Sequence, residues 1–295
     1  MALHQYNVDF ESIDAIDFHV HVEIDSHGHR ALDDQLMSAS SAYFGSVEER
    51  TPTVESIAQY YRARNTAAVV FTIDAETSLG HSPNSVIEIA EAAATYNDIL
   101  IPFGSVDPLQ GEDAINRAIR LVTDFGVKGF KFHPGIQAFE PNDIQFYPLY
   151  EAIAALGVPV LFHTGQTGIG AGLPGGRGIR LRYSDPLLLD DVAADFPSLT
   201  IVMAHPSVPW VDTQISIATH KSNVFIDLSG WSPKYLAPQL VRATNSYLQD
   251  KVLFGSDFPL LSVDRWRADF AALEIKEDVV PKVFKQNALR VLGLI

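Results

Sequence analysis

The sequence predicts a single α/β domain spanning residues 1–295 and folded as one (β/α)8 TIM barrel. Three observations carry that expectation. Eight short apolar or β-branched runs can be counted, and each is followed by a loop and then a segment with helical spacing of its apolar residues. Strict alternation of the two implies a parallel sheet, because parallel neighbours need crossover connections. The length of 295 residues suits one such barrel, and no linker, repeat or low-complexity tract divides the chain.

The runs start at Ala15 (AIDFHVHV), Ala67, Ile99, Val127, Pro159, Thr200, Val224 and Val252. Helices are expected over 53–65, 84–96, 112–125, 144–156, 186–196, 209–220, 233–247 and 263–273. Ser82-Pro83 and Ser232-Pro233 place a capping oxygen ahead of a proline, which suits a first helical turn. Two long loops, 23–52 and 165–185, follow the first and fifth strands. Both fall on the carboxyl side of the strands, the face on which barrels put their sites. An open doubly wound sheet is the rival architecture, but it carries a glycine-rich turn after its first strand, where His-Val-His stands here.

Composition narrows the function classes. A hydrophobic fraction of 47% with 19% charged residues is that of an ordinary folded, soluble protein. The formal charge of −15, scattered along the chain, repels phosphate backbones and anionic lipid, so a small molecule is expected as partner in place of nucleic acid or membrane. With no cysteine, metal chemistry must rest on histidines and carboxylates. No signal-like start and no apolar stretch of about 18 residues is found, so a cytoplasmic protein is expected. A symmetric dimer is the commonest assembly for such a chain.

His19 and His21 are two apart on a strand and therefore share a face. Taken alone, that pair reads equally well as an exposed polar strand. However, His163, His205 and Asp257 stand at the ends of the fifth, sixth and eighth runs. Four histidines and an aspartate converging on one mouth are hard to explain as packing, since burying them unpaired is costly.

Asp17-Phe18-His19-Val20-His21, His163, His205 and Gly255-Ser256-Asp257 resemble the motifs of the amidohydrolase superfamily. The likeness narrows to its amidohydrolase-related, ACMSD-like branch through GFKFHP at Gly129, the stretch from Asp185 to Trp210, and KVLFGSDFP at Lys251. The resemblance implies a distorted barrel with one divalent ion, commonly zinc, bound by His19, His21, His163 and Asp257. It also makes His205 the catalytic histidine beside the metal-bound water. Hydrolases, hydratases and non-oxidative decarboxylases all occur in this branch, so family does not fix the reaction.

Lys131 ends the fourth run, where other amidohydrolases carry a carboxylated lysine bridging two metals. It is expected here to meet a substrate carboxylate or carbonyl, with His133 on the same face; carboxylation would instead bring a second ion. Arg177 and Arg180, ahead of Arg182, are candidates to hold a substrate anion from the glycine-rich loop. Trp210 and Trp231 follow the sixth and seventh strands, where either could wall an aromatic ligand.

The leading expectation is hydrolysis at a carbonyl of an ester, lactone, amide or β-ketoacyl substrate. His205 would orient or deprotonate the water and Asp257 would shuttle the proton. The alternative is non-oxidative decarboxylation of a hydroxy-aromatic acid, with Asp257 protonating a ring carbon. A non-catalytic binding protein of this ancestry would be expected to have lost at least one of these residues.

Overall fold

All eight runs form parallel strands in a computed structural model that describes residues 3–45 and 51–295. They are β1 (Ala15–His21), β2 (Thr66–Phe71), β3 (Leu100–Pro102), β4 (Phe130–Phe132), β5 (Val160–His163), β6 (Ile201–Ala204), β7 (Val224–Asp227) and β8 (Val252–Leu253). Ladders join β1 to β3 and β4 to β8 in sequence order. Two seams close the ring. Gly104 N donates to Gly129 O at 2.8 Å and Lys131 N to Gly104 O at 2.7 Å, linking β3 to β4. Phe18 N donates to Phe254 O at 3.0 Å and His21 N to Phe258 O at 2.8 Å, linking β8 to β1.

The helices follow from the apolar spacing. The helix Glu112–Phe125 buries Ala114, Ala118, Leu121 and Phe125 on one face and stops at Gly126, whose φ of 72° is the left-handed conformation that favours glycine. Two expected caps are displaced. The helix Val86–Thr95 starts later than Ser82-Pro83 suggested, because Ser85 supplies the capping oxygen to Glu88 N. Ser232 makes no cap; its hydroxyl is drawn to Asp269, and the expected helix over 233–247 breaks into a 3-10 turn and the helix Pro238–Thr244. The first long loop is not structureless. It contains the helix Asp34–Tyr43, capped by Asp33, while residues 46–50 of that loop lie outside the described residues.

Strand alternation sorts the core into two regions. Outward residues such as Val70, Phe130, Phe162 and Met203 pack under the helices. Inward residues form a separate apolar cluster: Phe18, Val69, Phe71, Phe103, Leu161, Val202 and Leu253. Val8, Ile13, Leu289 and Val291 join this cluster from the two ends of the chain. The inward positions nearer the carboxyl ends of the strands are polar, and these form the site.

His4 tests this packing at a distance from the site. Its Nε2 lies 2.9 Å from Leu100 O, and burial pushes its pKa from 6.5 down to about 4. The folded-state value is depressed, so the associated stability is present above pH 6.5 and lost as pH falls through about 4. His4→Gln, which keeps a donor for Leu100 O, should flatten that part of the acid profile. Thermal melts of both proteins between pH 7 and pH 4 check this; parallel curves would reject it.

Candidate metal centre

His19 and His21 reach the mouth together because β1 is irregular. The pairing of β1 with β2 shifts register between Asp17 and Val20, so Phe18 stays in the apolar interior while the next residue, His19, enters the cavity. The β1–β8 seam is held by Asp17, which is buried. Its carboxylate accepts from Tyr61 Oη at 2.7 Å, Ser256 Oγ at 2.5 Å, Ser256 N at 2.9 Å and His19 N at 3.1 Å. Burial raises the Asp17 pKa to about 6, and the bonds from Ser256, Tyr61 and His19 work against that rise. Asp257 follows β8 with φ 65°, a left-handed conformation that Asp and Asn tolerate better than most residues.

Three ligand atoms meet at this seam. His19 Nε2 lies 3.2 Å from His21 Nε2, and Asp257 Oδ1 lies 3.4 Å and 3.2 Å from them. Ligands about 2.0–2.2 Å from a tetrahedral ion stand roughly 3.3–3.6 Å from one another, which these separations nearly match. His19, His205 and Asp257 likewise place their ligand atoms within 4.8 Å of one another, a wider His/His/Asp metal-binding group that shares two members with the first. The two triangles share His19 and Asp257 and differ in whether His21 or His205 completes them. Both Asp257 Oδ1 and His163 Nε2 are buried without a hydrogen-bond partner. Unpartnered buried acceptors of this kind fit a cation. The donor set, imidazole and carboxylate without thiolate, suits zinc or manganese alike.

The protonation states agree with that fit. Burial pushes His19 and His163 well below the usual imidazole range and His205 down to about 4, leaving neutral rings. Burial alone would raise Asp257, but His205, His21 and Lys131 outweigh it and hold the carboxyl at about 2. Lys131 is itself lowered to about 8 by burial, against the pull of Asp257 and Asp227. Its Nζ lies 3.4 Å from His19 Nε2 and 5.3 Å from the Phe71 ring centre, which floors the site.

These groups open into a cavity of about 1200 Å³, mouth included. Its base carries His19, His21, Lys131, His133, His163, His205 and Asp257, and its wall carries Met37, Tyr43, Phe44, Ile169 and Trp231. His133 stacks face to face on His163 with ring centres 3.7 Å apart. Trp231 lines the cavity whereas Trp210 caps the helix Val211–His220.

The arginines of the glycine-rich loop are placed differently from expectation, and neither Arg177 nor Arg180 lines the cavity. Arg177 is drawn to the acidic cap of the helix Asp34–Tyr43, with Nη2 2.7 Å from Asp33 and Nε 2.8 Å from Gln35 Oε1. Arg180 is exposed, and Arg182 pairs with Glu140 at 3.3 Å.

Sequence reasoning missed Asp227 and Ser229. Asp227 Oδ2 lies 2.7 Å from His19 Nδ1, the orienting contact that a metal-bound imidazole usually makes with its other nitrogen. The signal was present: Asp227 ends the VFID run as His163 ends VLFH. It also missed Tyr43 and Phe44, whose helix has a weak apolar face and sits inside a loop.

A family model described as amidohydrolase matches residues 16–294. No curated protein matches the chain by sequence. Among solved structures, an uncharacterized TIM-barrel protein from Bordetella bronchiseptica is 24% identical with a TM-score of 0.74, covering 95% of this chain and 98% of its own. A 2,6-dihydroxybenzoate decarboxylase from Rhizobium is 17% identical with a TM-score of 0.70, covering 96% and 99%. A dihydroxybenzoic acid decarboxylase from Polaromonas, with bound manganese and 2-nitroresorcinol, is 16% identical with a TM-score of 0.69, covering 96% and 97%. Among the described residues no helix is long and apolar enough to cross a membrane.

Proposed function

The chain belongs to the amidohydrolase superfamily, and on that premise we propose that it is a metal-dependent, non-oxidative decarboxylase of a hydroxy-aromatic carboxylic acid. One observation carries the reading: the cavity sets an ionic base, with Lys131 beside the ligand cluster, against a wall of Met37, Tyr43, Phe44, Ile169 and Trp231. A benzoate has those two faces. The decarboxylase activities of two of the similar structures support the same choice. Hydrolysis at a carbonyl draws on the same polar groups, but its water needs no aromatic wall.

A single divalent ion would be held by His19, His21 and Asp257, with His163 as fourth ligand; zinc is the expected ion, and manganese occurs in two similar structures. When bound, it would supply positive charge for the substrate's carboxylate and adjacent hydroxyl oxygens. Lys131 binds and neutralises the carboxylate. The aromatic wall packs against the ring and fixes its plane. A proton passes from Asp257 to the ring carbon that bears the carboxylate, the electrons for the new C–H bond coming from the hydroxyl oxygen through the ring. The bond to the carboxyl then breaks, carbon dioxide leaves and its electron pair restores the aromatic ring. Asp257 is ionised in the free site, so this proton enters with the substrate's hydroxyl.

The test is a panel of hydroxybenzoates and simple aryl esters offered to metal-loaded protein. Carbon dioxide and the matching phenol are expected; ester cleavage without carbon dioxide would replace this reading with hydrolysis. Lys131→Met should remove a charge-assisted contact of about 1.5–3 kcal/mol. That raises KM for the carboxylate about ten- to a hundredfold. An unchanged KM in steady-state assays would take Lys131 out of the binding site.

A further inference from the structure

Ser229 lies two residues beyond Asp227 in the turn after β7 and is fully buried. Its Oγ stands 2.7 Å from Asp227 Oδ2, 2.7 Å from His205 Nδ1 and 2.9 Å from His19 Nδ1. A hydroxyl has one hydrogen and two lone pairs, so the order of donation among three partners is determined once one partner is known. Asp227 supplies that one. Burial raises its pKa to about 7, and above that value the carboxylate can only accept, its Oδ1 from Ser229 N–H at 3.0 Å while its Oδ2 faces His19 Nδ1 at 2.7 Å.

We propose that Ser229 is a positioning residue: its hydroxyl donates to Asp227 and accepts from Nδ1–H of His205 and His19, so both rings turn an unprotonated Nε2 toward the metal centre. A neutral imidazole carries a single N–H, and placing it on Nδ1 leaves Nε2 bare. An independent contact agrees, because the Lys131 ammonium, a donor only, lies 3.4 Å from His19 Nε2. Two glycines leave the relay its room. A Cβ on Gly230, where φ is 77°, would come 2.6 Å from His205 Nδ1, and one on Gly255 would run into Asp227 Oδ1. Ser229 thus sets the tautomer of His205 and shares that of His19 with Asp227. The inference rests on the metal centre and holds for decarboxylation and hydrolysis alike.

The test reads tautomers directly. Long-range proton–nitrogen correlation spectra of metal-free protein labelled with 15N-histidine separate Nδ1–H from Nε2–H rings, and H205Q and H19Q assign the two signals. Wild-type protein should show Nδ1–H for both. S229A should shift His205 toward Nε2–H and weaken Mn2+ binding, followed by the resonance of free Mn2+, by about 10–100-fold. S229C, which keeps a weak donor, should recover part of both. An Nε2–H signal for His205 in wild type, or an unchanged His205 signal in folded S229A, overturns the proposal. Because the wild-type spectrum already decides, a variant that fails to fold does not shelter it. Wild-type Nδ1–H tautomers with no carbon dioxide from any hydroxybenzoate would count against the reaction and leave the relay standing.

Discussion

Replacing Asp257 with Asn is expected to lower turnover by about 10²–10⁴-fold, the range that loss of a positioned proton donor removes. The side chains are nearly the same size, and Asn accepts the left-handed backbone that Asp257 adopts at φ 65°, so the fold should survive. What changes is chemistry. The carboxylate sits 3.2–3.4 Å from two ring nitrogens and is the anionic member of that cluster. An amide brings no transferable proton to a ring carbon, and its NH2 would donate into lone pairs that a cation should share. Metal content measured beside kcat separates the two losses. Near-normal kcat in D257N that retains its metal would remove Asp257 from proton transfer.

The largest loss of stability should come from Asp17→Ala. Four donors converge on this carboxylate, and alanine would strand the Tyr61 and Ser256 hydroxyls and the N–H groups of Ser256 and His19 where water is excluded. Each buried donor left unsatisfied costs about 1–3 kcal/mol, partly recovered by relaxation. A total on the order of 3–5 kcal/mol is a large share of the roughly 5–15 kcal/mol that holds a typical domain. Tyr61→Phe removes one of the four donors and should cost only about 1 kcal/mol. Urea denaturation of the two variants tests the ordering, and equal losses would mean that Asp17 does not organise the seam.

The barrel was legible in the sequence because its signal is repeated. Eight apolar runs separated by amphipathic segments such as 112–125 leave few other arrangements, and every run became a strand. That His19, His21, His163, His205 and Asp257 share one cavity was legible for a related reason: polar residues ending apolar strands stand out. Asp227 ends a strand too, but Asp-Leu-Ser reads equally well as an ordinary turn, and only the 2.7 Å contact with His19 reveals its part. The loops were least legible. Arg177 looked like an anion receptor in an acidic protein, yet an acidic helix cap 142 to 144 residues away in sequence occupies it, a pairing that no local pattern encodes. The caps at Ser82 and Ser232 failed because Ser85 accepts the capping bond of its helix instead, while the Ser232 hydroxyl turns away to donate to Asp269.

The division of the barrel interior into a lower apolar tier and an upper polar tier separates what can be altered without mutual interference. Substitutions at Val69, Leu161 or Val202 meet only hydrocarbon and should register as melting temperature, while substitutions at Lys131 or His133 should register as rate or selectivity. Apart from Trp231, the site's wall comes from 37–44 and 166–169, segments outside both tiers. New substrates can therefore be sought by randomising those two stretches alone, with the ligand cluster and the scaffold beneath it left as they are.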